Sequence, residues 1–372
     1  MPTLGEIVDL LHGWYPPATA DSWDAVGLVA GSPDAAVAKV MFAVDPTHDV
    51  AREAAEWGAD LLVVHHPLFL KPVHGVAATT PKGRTLDVLT RAGCALLTAH
   101  TNADQAVGGV SEAMATALGL TDQAPLVPAP VEPRDKLTTY VPVAAADAVR
   151  AVLASAGAGR VGDYEAASFS APGQGRFRPL EGARPAIGAV GEPEVVAEER
   201  VEVVLPRSRR TAVVRALLAA HPYEEPAWDV TELADAGLAG TGTGRIGTVP
   251  PQTLRAFAET VSAALPATVQ GVRAAGDPER VVRRVALCGG AGDFLLDTVR
   301  RTDADVYVTS DLRHHPASEF AEHGGPALVD VAHWAAEWTW LPVVEERLRA
   351  AVGDTVGTRV STLRTDPWSF RS

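Results

Sequence analysis

The chain has 372 residues, of which 47% are hydrophobic and 21% charged, a balance that fits two or three folded domains and excludes a mainly disordered chain. Its net charge of −14 repels phosphate backbones and anionic lipid surfaces, so neither nucleic acid nor membrane is expected as a partner. The two cysteines, Cys94 and Cys288, are too few and too far apart for a zinc ribbon or a disulfide framework.

The first segment, MPTLGEIVDLLHGWYPP, spaces Leu4, Ile7, Val8 and Leu11 along one face of a helix and lacks the basic and apolar regions of a signal peptide. No apolar run approaches the roughly 18 residues of a membrane span, and a cytoplasmic protein is expected. Three short apolar strands follow: KVMFAVDPT (39–47), ADLLVVHHP (59–67) and CALLTAHTNAD (94–104). Between them VAREAAEWG and GRTLDVLTRAG read as helices closing on glycine, which makes a β/α alternation.

From 129 to 240 the texture changes to strand, helix, strand, strand, helix, strand, the order of a ferredoxin-like βαββαβ unit, with the loop GQGRFRPLEGARP (173–185) between its middle strands. The arginines at 207–210 and 280–284 flank apolar runs and read as solvated strand ends. Gly242, Gly244 and Gly247 match a dinucleotide fingerprint by pattern alone, because two prolines delay any helix, and that reading is rejected.

After residue 280 the early order returns as RRVALCGGAGDFL, ADVYVTSDLRHH and PALVDVAHWAAE. Aligning ADLLVVHHP with ADVYVTSDLRHH and CALLTAHTNAD with PALVDVAHWAAE gives a weak internal repeat. The expected fold is α/β, with related halves at 1–128 and 241–372 and an inserted domain at 129–240. Ligands of open α/β sheets collect beyond the carboxyl ends of strands, where each histidine-rich motif lies.

His65 and His66 stand where Pro67 ends a strand, either at a metal-binding turn or in an exposed loop. Asp104 closes HTNAD as a ligand or as the N-cap of a helix in GVSEAMATALG, and His100 could be a hydrogen-bonded core histidine. His333 and Glu337 are four apart, so a helix projects both from one face toward one cation; burying them unpartnered in VDVAHWAAEWTWLPVV would be costly. Asp311, His314 and His315 end another apolar strand. Imidazole with carboxylate suits Zn, Fe, Mn, Co or Ni better than Mg or Ca. No P-loop, GxSxG elbow or HExxH is present.

Taken together, WDAVGL (23–28), HHPLF (65–69), HTNAD (100–104), GTGRIG (242–247), TSDLRHH (309–315) and DVAHWAAE (330–337) resemble the motifs of the NGG-interacting-factor-three-like family, the GTP cyclohydrolase I type 2 homologues. The resemblance covers most of the chain. It implies that His65, His66, Asp104, His333 and Glu337 ligate two divalent ions per subunit, enclosed between two related α/β halves. It further implies a toroidal homohexamer and, in the long bacterial form, a PII-like or CutA-like insert, to which 129–240 with HPYEEPAWDV (221–230) is similar. The implied reaction is hydrolytic opening of the guanine ring of GTP, or of another nucleotide, with loss of formate, for which His100, Asp311 or His315 could carry protons. Ala332 and Ala336 stand where the family usually has Gly and Ser, and Ser310 where glycine is common, departures that touch substrate positioning rather than the ligands. The rival expectation is a non-enzymatic metal-binding ring with a regulatory or scaffold role.

Overall fold

The computed structural model describes residues 1–162, 164–234 and 238–372. Two compact units emerge, one made of Met1–Ala129 with Ala239–Ser372 and the other of Pro130–Leu238.

The first unit contains two sheets. In the five-stranded one, Lys39–Ala43, Leu61–Val64 and Ala95–Thr98 run parallel, Gly27–Ala30 lies antiparallel outside Ala95–Thr98, and Gly357–Val360 flanks Lys39–Ala43. All four residues of Leu61–Val64 are fully buried, as a parallel strand covered by helices on both faces requires. The helices His48–Trp57 and Pro81–Ala92 make the crossovers. The six-stranded sheet runs Arg273–Ala275, Ala327–Val331, Val306–Ser310, Val281–Ala291, Leu238–Thr253, Thr121–Pro130. The second, third and fourth of these strands are parallel, and Arg273–Ala275 is again an antiparallel edge.

The two sheets repeat one plan down to single atoms. Thr3 and Thr253 each cap a helix, Leu4–Trp14 and Leu254–Ala264, by accepting a backbone N–H. Asp60 Oδ2 accepts the N–H groups of Ala38 and Lys39, and Asp305 Oδ2 those of Arg283 and Arg284. Gly31 (φ 126°) and Gly276 (φ 138°) sit in matching crevices. A Cβ on Gly31 would fall 2.6 Å from Ala95 Cβ and 2.8 Å from Leu4 Cδ2; on Gly276, 2.9 Å from Ala327 Cβ and 3.2 Å from Leu254 Cδ2.

One hydrophobic core spans both sheets, joining Phe42, Val63 and Leu97 to Val285, Val306 and Val329 through Trp334, Trp340 and Leu341. Trp340 is fully buried, and its Nε1 donates to the Tyr15 hydroxyl at 3.1 Å. The GTGRIG segment lies inside the strand Leu238–Thr253, and the buried Arg245 side chain donates to Gly242, Gly244 and Ala106 carbonyls and to Glu112, which makes the motif a structural brace.

The second unit is a four-stranded antiparallel sheet in the order Phe169–Phe177, Glu194–Pro206, Arg134–Pro142, Trp228–Glu232, with helices Ala146–Ser155 and Arg210–Ala220. That is a split βαββαβ arrangement. Leu137, Val141, Val201 and Val203 pack on Val149, Leu153, Val213 and Leu217 in a separate core. Arg207 and Arg210 pair with Asp135 and Glu232, so this basic run is absorbed by structural ion pairs. Among the described residues no helix is long and apolar enough to cross a membrane.

Candidate metal centre

Strand ends from both halves of the first unit meet at one cluster of imidazoles. His65 and His66 follow directly on Leu61–Val64, and their N–H groups donate to the Val44 carbonyl at 3.1 and 2.9 Å, fixing the turn. His100 precedes the short helix Thr101–Gln105, which carries Asp104. His333 and Glu337 lie one turn apart on the helix His333–Trp338. Ring centroids are 5.1 Å apart for His65 and His66, 5.0 Å for His65 and His100, and 5.3 Å for His66 and His333.

Each of the four rings is aimed by its Nδ1. His65 Nδ1 donates to the Ala99 carbonyl at 2.9 Å, His66 Nδ1 to Asp45 at 2.7 Å, His100 Nδ1 to Asp24 at 2.9 Å and His333 Nδ1 to Asp311 at 2.6 Å. An oxygen that only accepts places the proton on Nδ1 and leaves Nε2 free as a ligand, the arrangement that orients metal-binding histidines. Asp45 is itself held by the Thr365 hydroxyl, and Asp24 by the backbone N–H and hydroxyl of Thr101.

Between these rings lies Glu337, 3% exposed. Its Oε1 is 2.8 Å from His333 Nε2 and 3.5 Å from His65 Nε2, and its Oε2 is 3.0 Å from His66 Nε2. His65 Nε2, Asp104 Oδ1 and Glu337 Oε2 are buried yet make no aligned hydrogen bond among the described residues. Buried polar atoms left so are costly unless another group satisfies them. A Cβ on Gly290 would come 2.7 Å from Glu337 Oε1 and 3.3 Å from His333 Nε2, so only glycine lets the backbone pass this close.

The electrostatics point the same way. Burial opposes charging His66 and His333, but Glu337 with Asp45 raises the first to about 11, and Glu337 with Asp311 raises the second to about 10. Glu337 is held well below the usual carboxylate range by His66, His333 and His65 in spite of its burial. Burial lifts Asp104 to about 7, while burial and His65 lower His100 to about 4. Two imidazolium protons thus gather around one buried carboxylate; a divalent cation brings the same charge in one atom and uses the Nε2 lone pairs. Among the described residues two donor groups fit such an ion, His65 with His66 and His100, and His66 with His333 and Glu337, each within 4.8 Å. The donor set and the buried atoms without an aligned hydrogen bond both suit a metal.

Asp104 Oδ1 stands 3.7 Å from His65 Nε2, beside these groups. Its alternative as N-cap of Val110–Ala117 does not hold: Gly109 occupies that position with no side-chain cap, because Asp104 belongs to the preceding helix. Asp311 takes a left-handed backbone (φ 57°) and steers His333. His315 is exposed on the first turn of His314–Glu322 with its ring against His314, apart from the four clustered imidazoles. Counting from the equivalent Asp60 and Asp305, His65 and His66 match Ser310 and Asp311, so the second histidine pair is not the counterpart of the first.

A family model described as Duf34/NIF3 (NGG1p interacting factor 3) matches residues 2–367. The chain belongs to the Duf34/NIF3 family. A Mycobacterium tuberculosis relative named GTP cyclohydrolase 1 type 2 homolog is 52% identical over 369 residues, covering 99% of this chain and 97% of its own. A Bacillus subtilis relative of the same name is 38% identical over 369 residues and covers 98% of each chain. The crystal structure of a Bacillus cereus protein related to NIF3 superposes with a TM-score of 0.80 at 35% identity, covering 100% of this chain and 99% of that one. In this NIF3-family chain the residues that sequence reading passed over are Asp24 and Asp45, together with the place of His100 among the clustered donors. Both aspartates lie in strand-end segments, WDAVGL and FAVDPT, and an acidic residue at such an end was the signal that could have found them.

Proposed function

We propose that this NIF3-family protein holds two divalent cations between its two α/β halves and hydrolyses a small substrate there, with GTP the first to test. The observation that carries the reading is the set of buried donor atoms without an aligned hydrogen bond among the described residues, His65 Nε2, Asp104 Oδ1 and Glu337 Oε2, at the point where four oriented imidazoles converge. When bound, a pair of divalent ions supplies charge to polarise a substrate oxygen and lowers the pKa of water. His65, His66 and Asp104 with His100 would hold one side, and His333 with Glu337 the other.

The protein's own groups then position and move protons. His100, uncharged at neutral pH, keeps its Nδ1 proton on Asp24 and turns Nε2 inward. Asp311 stands at the more exposed lip, holding the His333 Nδ1 proton with one carboxylate oxygen and leaving the other to exchange a proton with substrate or solvent. Trp23, 56% exposed, stands edge-on to His100 with 5.8 Å between ring centroids and offers an aromatic wall at the site. GTP as substrate is supported by the names of the relatives.

The test is formate release from GTP by protein loaded in turn with Mn, Fe, Zn, Co or Ni, beside Glu337→Gln. Metal-dependent formate from the wild type alone is the expected result. No formate with any metal removes GTP; no hydrolysis across phosphoesters and cyclic amides removes the hydrolase reading. We also propose a ring-shaped homohexamer with 130–238 as a PII-like element, supported by the family resemblance. A monomer by analytical ultracentrifugation overturns that.

A further inference from the structure

The second unit has a cavity of its own, about 590 Å3, far along the chain from the imidazole cluster. Its floor is the strand Phe169–Phe177 with Glu198 of the neighbouring strand, one wall is the loop carrying Pro179 and Ile187, and the other is the segment of Tyr223. The volume lies in the usual range for small-molecule sites.

At the base lies a carboxylate with half of its partners. Glu198 is 7% exposed, and its Oε1 accepts the Tyr223 hydroxyl at 2.8 Å. Its Oε2 sits under Gly175, where a Cβ would come within 2.2 Å, so a glycine is needed for the carboxylate to reach this place. The HPYEEP segment holds the donor in position: Tyr223 N–H donates to His221 Nδ1 at 3.1 Å, and His221 Nε2 donates to the Tyr140 carbonyl at 3.0 Å. Burial and the Glu198 carboxylate push the Tyr223 hydroxyl well above its ordinary value, which keeps it a donor.

What Glu198 lacks among the described residues is a cation. On the same strand Glu199 pairs with Arg150, and Glu202 with Lys136 and Arg200, yet no lysine, arginine or histidine pairs with Glu198. A carboxylate buried this far is costly without a compensating charge. Beside it the rings of Phe177 and Tyr223 meet at a 64° angle with centroids 5.7 Å apart, a corner whose faces attract a cation and whose bulk attracts apolar groups. Glu224 and Glu225 line the cavity with Glu198, and Arg176 and Arg200 line it too, Arg200 being paired with Glu202, so carboxylates outnumber guanidinium groups there and a cation is favoured over an anion.

We propose that this cavity binds a small organic ammonium compound with an apolar body, its charged head on Glu198 and its body against Phe177, Tyr223 and Ile187. The proposal is independent of what the imidazole cluster does. Calorimetric titration of the full chain with 2-phenylethylamine, and with phenylacetate as an anion of similar size, tests it. Saturable binding of the amine and none of phenylacetate is expected. Glu198→Gln keeps the shape and should weaken the amine at least about tenfold, the scale of a lost charge-assisted hydrogen bond. Ile187→Trp fills the cavity from its loop wall without touching Glu198 and should abolish binding, with a wild-type melting curve. No saturable amine binding at millimolar concentration, equal binding of phenylacetate, or unchanged affinity in Glu198→Gln overturns the proposal. So does amine binding that appears only when an assembly dissociates, since a side chain of a second copy then fills the site.

Discussion

Asp45, Asp24 and Asp311 act on the cluster through the Nδ1 atoms of His66, His100 and His333. Asp45→Asn keeps the shape and removes the charge, and metal affinity is expected to fall about 10- to 100-fold in competition with a chelator. Unchanged affinity would mean that Asp45 does not orient a ligand. Binding also requires bare imidazole nitrogens, and Glu337 raises His66 to about 11 and His333 to about 10, so metal uptake near pH 7 should release protons into weakly buffered solution, and affinity should climb with pH. Uptake without proton release contradicts that. His221 gives the opposite sign in the second unit: burial depresses it below its unfolded value, so its contribution to stability is present above pH ~6.5 and fades as pH falls through the folded value. The thermal midpoint of the second unit should therefore drop between pH 7 and 5, and His221→Gln should flatten that slope. The pair His333 and Glu337 could be read from the sequence because both belong to one helix. Asp45 and Asp24 show in the sequence only as acidic residues at strand ends; their pairing with His66 and His100 does not, since it spans 21 and 76 residues and no local periodicity records such a bond.

At the scale of elements the repeat makes paired tests possible. Gly31→Ala and Gly276→Ala each force a methyl against an alanine at a left-handed backbone angle, and each should cost about 1–3 kcal/mol in chemical denaturation. Thr3→Ala and Thr253→Ala lose a helix cap and should cost about 1 kcal/mol. If one member of a pair is silent, the two positions do not carry equivalent roles. The β/α order was legible because buried strands such as LLVV and VYVTS are short apolar runs bounded by polar turns. The repeat was legible in its strands, ADLLVV against ADVYVT, and the structure adds GSPDAAVAKV (31–40) against GDPERVVRRV (276–285), a closer match than the histidine pairs. Those segments keep a glycine for a tight crevice and a proline for a turn, whereas the histidines serve one shared centre and need not recur in both halves.

For the molecule as a whole, the two stretches of the first unit come together where the second unit leaves the chain. A Cβ on Gly242 would fall 2.2 Å from the Val127 carbonyl oxygen and 2.8 Å from Ala129 N. Replacing 130–238 by a short turn should therefore leave the first unit folded, with its metal content and far-UV spectrum intact. An insoluble or metal-free product would show that the first unit depends on the second. The core tells which parts act together, since Trp340 from the last third of the chain packs on Tyr15 and on the ring of His65. Such long-range packing leaves no trace in any short window of sequence.

The donors that converge on Glu337 begin at His65, so most of the chain separates the first from the last. During synthesis His65, His66 and His100 leave the ribosome long before Glu337 exists, and a nascent chain offers only the first of the two donor groups. A tightly held ion in the proposed centre would then certify that the chain has been made through Glu337 and that the halves have closed on each other. If the proposed centre is filled in this way, molecules made without metal would stay unsealed, distinguishable from the sealed form by how fast a protease cuts them.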